Sequence, residues 1–332
     1  MNRQKGMALV LVLWVLSLLT IMAGSFALSM RRESSIVASI KNNAQAKAIA
    51  ESGIAMAEMM LLNPDPIKGW RADGSIYEIN AADAKIRVQL SSESGKLDIN
   101  KADETLLKGL MTYAPVDAEQ QIKLASAILD WRDEDDLVHI EGAEKQEYQD
   151  AGLSYPPRNK PFQSIEELQM VLGMNKSVFL WIEPLVTVYS GQQQVNLQMA
   201  TKEVLQVIPG LDKGLVDSYI TARLESAINN LPAPPFPSSS GMNTPTVQST
   251  PVGQNNLSGQ NNVLTVVSEA ILDDGSRASI SAVIKKTGNT QVTPSPFEVL
   301  KWQYVTTNSA SLFTDAMSKL LVKQYAEPEL NN

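Results

Sequence analysis

Hydrophobic and polar positions keep several different rhythms along this chain. Residues 7–30 form a run of 24 without a charge, closed at once by Arg31 and Arg32. At 1.5 Å per residue, such a helical run crosses a hydrocarbon core of about 30 Å. It exceeds the apolar core of roughly 7–15 residues found in a removable secretory signal. An uncleaved anchor therefore fits the run. Beyond it the charges return but a period persists. Ile36, Ile40, Ala44, Ala48, Ala55 and Met59 lie at four- or seven-residue spacing, with Lys41, Lys47, Glu51 and Glu58 on other faces. That predicts one apolar stripe on a helix. No proline occurs before Pro64, so a single helix is expected from near Met7 to about Leu62.

After this the period shortens to two. Ile86, Val88 and Leu90 alternate with Arg87 and Gln89, which reads as a half-buried strand. Residues 97–107 (LDINKADETLL) open a mainly helical stretch, and 195–205 (VNLQMATKEVL) repeat its pattern at an offset of 98. Leu97 matches Val195, Ile99 matches Leu197, Ala102 matches Ala200 and Leu107 matches Leu205. An internal duplication is the simplest account, a chance agreement of apolar spacing the alternative. The second copy continues through Pro209-Gly210 into another helix and resembles a helix-hairpin-helix unit. Residues 229–262 are dominated by Pro, Ser, Asn, Gln and Gly, which predicts a flexible loop. Residues 263–286 read as two strands joined at 273–276, and 297–305 as a last strand. In the tail, Leu312, Ala316 and Leu320, with Phe313, Met317 and Leu321, predict an amphipathic helix.

Charge and composition narrow what this architecture does. The formal charge of −8 argues against a nucleic-acid partner, and the hairpin has only Lys213 beside Asp212. With no cysteine and His139 as the one histidine, thiolate and multi-histidine metal sites are excluded within one chain. No phosphate-cradling glycine loop or nucleophile motif appears, so an enzyme is not expected. One segment stands out. Residues 130–150 hold nine carboxylates and two cations. Asp133 and Asp135 are followed by Leu137, which breaks the alternation an EF-hand needs. From composition alone this is a solvated acidic loop or an irregular site for a hard cation.

The short basic leader ending in Gly6, the apolar run and one long N-terminal helix together resemble a type IV pilin or pseudopilin. Leu11 stands where most pilins carry glutamate, counting from Met7. That leucine, the repeated helical openings and the acidic segment are similar to the K-type minor pseudopilin of type II secretion systems, the general secretion pathway protein K family. The resemblance covers roughly residues 1–305. It implies an α+β class: a pilin-like fold with a long N-terminal helix and antiparallel sheet, interrupted by a large all-α (helix-hairpin-helix or SAM-like) domain. The implied organisation is a leader at 1–6 and a membrane-crossing half-helix at 7–30. The pilin-like domain comprises 31–95 and 263–305, with the inserted domain at 96–228, the loop at 229–262 and the tail at 306–332. A prepilin peptidase would cut between Gly6 and Met7 and methylate Met7. The acidic segment resembles the family's calcium-binding stretch, which implies Asp133, Asp135, Asp136 and Glu144 as ligands, with Glu141 and Glu147 beside them. Further implications are I- and J-type minor pseudopilins, inner-membrane lipid and exoproteins as partners, a periplasmic C-terminal part, and a place at the pseudopilus tip. A minor type IV pilin with an adhesive or DNA-uptake role is the alternative.

Overall fold

A computed structural model describes residues 5–65, 68–81, 83–237, 263–287, 295–305 and 311–325. Residues 1–4, the start of the expected leader, and most of the expected loop at 229–262 lie outside them. Helix α1 (Lys5–Leu61) is followed by strands β1 (Asp73–Ala81) and β2 (Ala84–Ser92). The helical block then contains β3 (Leu97–Asp98), α2 (Glu104–Met111), α3 (Ala118–Arg132), α4 (Lys145–Asp150), α5 (Lys176–Ile182), β4 (Val186–Thr187), α6 (Lys202–Val207) and α7 (Lys213–Ile228). Strands β5 (Val263–Leu272), β6 (Arg277–Lys286) and β7 (Phe297–Val305) return to the sheet, and α8 (Asp315–Ser318) and β8 (Leu321–Tyr325) close the described chain. The class is α+β, with a helical block inserted between sheet strands.

The six-stranded sheet runs β7-β6-β5-β2-β1-β8, antiparallel except where β8 joins β1. Ile86, Val88, Leu90, Val266, Ala270, Ile280 and Ala282 are buried in one cluster with α1 residues Ala50, Ile54 and Ala57. The period-two pattern of β2 thus faces the helix. Helix α1 runs unbroken for 57 residues. Its residues 7–41 are all exposed, whereas Ala46, Ala50 and Ala57 are fully buried. Gly53 allows the closest approach, since a Cβ there would overlap Ser268 Oγ of β5. The buried stripe is therefore not the one expected. Ile36 and Ile40 lie on the bare part of the helix and Met59 points away from the sheet; where the helix lies directly on the sheet, close approach selects mainly small side chains for its inner face.

The tail also departs from expectation. It forms one short helical turn and a strand, not a single amphipathic helix. Residues 311–318 cross the sheet face opposite α1, where Glu78, Arg87 and Glu269 lie side by side on β1, β2 and β5. Arg87 binds Glu78 at 2.7 Å and donates to the Leu312 carbonyl and Ser318 Oγ at 2.9 Å each. Its guanidinium sits 4.6 Å from the Phe313 ring centre. Glu269 accepts from the Leu312 N–H and Ser311 Oγ. Amphipathic spacing alone could not disclose that this charged row needs hydrogen-bond partners when covered.

The duplication survives in three dimensions. Asp98 and Asn196 each accept the N–H of the residue two positions on, at 2.9 and 3.1 Å. Asp103 and Thr201 cap α2 and α6, accepting from Leu106 and Val204. Both helices start at the same offset, and all four apolar pairs are buried. The copies also touch: a Cβ on Gly109 of α2 would overlap Pro209 of the second hairpin. Buried Glu93 ties this block to the sheet by accepting from Thr187 and from Thr265 of β5 at 2.6 Å.

Candidate metal centre

The acidic segment begins in the last turn of α3. Asp117 caps that helix by accepting the Gln120 N–H at 2.9 Å, and Asp133 follows its last residue in extended conformation. Asp130 points inward and is fully buried. It accepts the His139 N–H at 3.1 Å, the Ala143 N–H at 2.5 Å and a bond from the His139 ring. A Cβ on Gly142 would overlap the same carboxylate, so only glycine lets the loop wrap this tightly. Glu141 takes a left-handed φ of 64°, unfavourable for a residue with a side chain. Asp130 is thus the peg around which the loop is wound.

Next to this peg, oxygens are left without partners. Asp133 Oδ1 and both Glu144 carboxylate oxygens are buried with no hydrogen-bond partner. Asn159 Oδ1 is in the same condition. Its amide nitrogen donates to the Asp135 carbonyl at 2.7 Å and to Asp136 Oδ1 at 2.9 Å, which brings it to the cluster. Burial, reinforced by Asp130, Asp133, Asp136 and Asp135, pushes the Glu144 carboxyl up to about 7. Burial, then Asp130 and Asp135, raises Asp133 as well. Asp130, Asp133 and His139 each place one ligand atom within 4.8 Å of the others. A divalent cation that prefers six to eight oxygens fits this donor set, because orphaned buried carboxylates are costly and such an ion answers them.

The residues singled out in the sequence divide here. The charges of Asp133, Asp135 and Asp136 all bear on Glu144, and that of Asp135 bears on Asp133. Glu141 and Glu147 instead line a cleft of about 290 Å³ with Lys123 and Leu124, and Glu147 accepts the Glu144 N–H at 2.9 Å. Sequence reading missed Asp130 as organiser and Asn159 as oxygen donor. Asp130 could have been found from its helical spacing to Asp133; Asn159 sits 15 residues beyond Glu144 with no motif around it. A second candidate feature is α1, the one helix among the described residues long and apolar enough to cross a membrane, with a mean hydropathy of 2.5 in its most apolar stretch. Gly6 and Met7 lie in its first turn.

Comparison with known proteins places the acidic loop inside a recognised region. Residues 79–191 match the family described as type II secretion system (T2SS), protein K. The type II secretion system protein K of Klebsiella pneumoniae is 23% identical over 218 residues, 59% of this chain and 66% of that protein. The chain thus aligns with just under two thirds of that relative's length. The Aeromonas hydrophila protein of the same name is 26% identical over 252 residues, 65% of this chain and 74% of the relative. Among solved structures, the GspK-GspI-GspJ complex from enterotoxigenic Escherichia coli matches with a TM-score of 0.48 and 17% identity, covering 84% of this chain and 99% of that one.

Proposed function

From the match of residues 79–191 to the family described as type II secretion system (T2SS), protein K, we propose that the chain is a minor pseudopilin working by assembly and not by chemistry. The observation that carries this reading is the single 57-residue helix, bare over its apolar half and docked on a sheet over the other. Such a helix serves both as anchor in the inner-membrane lipid and as a filament strand packing against sister helices, with the remaining domains in the periplasm. Leu11 adds no carboxylate to the apolar half, so this subunit needs no neighbour's terminal amine; that suits the tip, beside I- and J-type minor pseudopilins, where a pseudopilus starts its export of folded proteins.

Cleavage by a prepilin peptidase between Gly6 and Met7, followed by methylation of Met7, belongs to the same proposal. Mass spectrometry of the native chain should find methylated Met7 as the first residue, and Gly6→Ala should leave the leader attached and abolish secretion. An intact Met1 in wild-type membranes would rule the reading out. Calcium is the proposed ion at the acidic loop, held by Asp133, Asp135, Asp136 and Glu144. Its charge would offset the buried carboxylates and tie the loop between α3 and α4 to the domain, stabilising the fold by mass action. Equal melting points of the full chain with calcium and with chelator would remove calcium from the proposal while leaving the pseudopilin reading intact.

A further inference from the structure

The acidic loop also carries the two most exposed large apolar side chains described outside α1, Leu137 and Ile140, with Val138 between them. Leu137 is 75% exposed, Val138 52% and Ile140 88%. They are not on a slack segment. The Ile140 carbonyl accepts from Ser126 Oγ at 2.9 Å, which holds it beside α3. Ile122, four residues before Ser126 and so on the same helix face, is itself 49% exposed. The Asp130 carboxylate fixes the backbone on both sides of Ile140 through His139 and Ala143. An apolar ridge at 137–140 is therefore held out into water by a buried charge, and an exposed apolar patch of this kind marks an interaction site.

The surroundings state which partner it suits. Glu134 and Glu141, at either end of the ridge, are exposed, and Lys145 is the one lysine or arginine between residues 133 and 150. These two glutamates lie outside the four residues assigned to the cation, and Lys123, which stands beside Glu141, is paired with Glu119 at 2.6 Å, so the rim stays negative when an ion is bound. An apolar centre with an anionic rim complements an apolar, basic surface. We propose that the ridge at 137–140 is a docking surface for a basic amphipathic polypeptide segment of another protein. That segment buries Leu137 and Ile140 and sets its lysines or arginines against Glu134 and Glu141.

The absence of native cysteine allows a local test on the full chain in uncharged lipid nanodiscs. Val138→Cys, the least exposed of the three, is labelled with an environment-sensitive dye and titrated with a helical Leu/Lys peptide. A saturable change is expected, weakened roughly tenfold with the matching Leu/Glu peptide and reduced by added salt. Leu137→Ser with Ile140→Ser should abolish it without lowering the melting point, since both side chains are exposed. Glu134→Gln with Glu141→Gln should weaken it and flatten its salt dependence. No response to the Leu/Lys peptide, equal response to the Leu/Glu peptide, or an unchanged response in the double serine variant would overturn the proposal. A response to anionic vesicles with calcium, and none to the peptide, would replace it with a membrane contact.

Discussion

The two copies of the repeated turn share their geometry and differ in what the following helix does with one arginine. In the first copy, Arg132 at the end of α3 donates to the carbonyls of Ile99 and Ala102. In the second, Arg223 within α7 donates to the carbonyls of Gln198 and Ala200 at 3.2 and 2.7 Å. Each turn leaves carbonyls pointing inward, and a guanidinium with its fixed fork of donors answers them. Arg223, however, reaches further: it donates to the Asp73 carbonyl at 2.9 Å and lies 3.6 Å from the Asp73 carboxylate, at the start of β1. Arg71 completes that contact from the sheet side, donating to Ser226 Oγ at 3.0 Å and to the Arg223 carbonyl. The second copy thus fastens the helical block to the sheet, while the first, with no such reach, ends in the acidic loop. One motif has become a clamp and a site.

That contrast can be broken most severely at the clamp. Arg223→Ala strips the donor from three carbonyls and the cation from the Asp73 carboxylate, which keeps only its bonds from Ser75, and should destabilise the full chain by about 3–5 kcal/mol. Arg132→Ala should cost less, roughly 2 kcal/mol, because the arginine is half-buried and leaves two carbonyls. Hydrogen exchange distinguishes their roles: the Arg223 variant should lose protection in β1 as well as α7, the Arg132 variant only within the helical block. Equal melting points and matching exchange maps would erase the proposed division between clamp and site.

A second effect, on the order of 3 kcal/mol, concerns only the first copy. With Glu144 raised to about 7 in the fold against an unfolded value near 4.5, the folded chain binds its proton more tightly. In chelator, stability should be greatest below about pH 4.5 as far as this group is concerned. It should fall as pH rises, and the loss should be complete once pH passes 7. Glu144→Gln should flatten that slope, and a slope unchanged in the variant would assign it elsewhere. The smallest prediction tests sameness instead of difference. Asp103→Ala and Thr201→Ala remove matched helix caps and should each cost about 1 kcal/mol. A large asymmetry in urea midpoints would mean that the copies no longer share their local folding.

Legibility followed the range of the interaction. The charge-free run 7–30, the alternation at Ile86, Val88 and Leu90, and the matched positions of 97–107 and 195–205 were readable because each expresses a local period. The nine carboxylates of 130–150 stood out because they are close in sequence, whereas the choice of Asp133, Asp135, Asp136 and Glu144 among them came from the family resemblance. Asn159 did not, since its place beside Asp136 depends on how residues 151–159 return over α3. The inner stripe of α1 was misread because period alone does not say which face meets the sheet; Ala46, Ala50, Gly53 and Ala57 were chosen by the approach of Ser268 and its neighbours.

The amino-acid sequence by itself determined the long helix, its apolar half, the period of β2, the duplicated turn and the concentration of negative charge after α3. All of these rest on backbone propensity, side-chain spacing or formal charge, which need no distant partner. Only the tertiary structure decided which face of α1 is buried, that the tail adds a strand to β1, that Arg223 joins two parts of the molecule, and that the Glu144 carboxylate oxygens are buried without a hydrogen-bond partner. Each of those outcomes depends on desolvation by residues remote in sequence, and desolvation is a property of the packed surroundings, not of the residue.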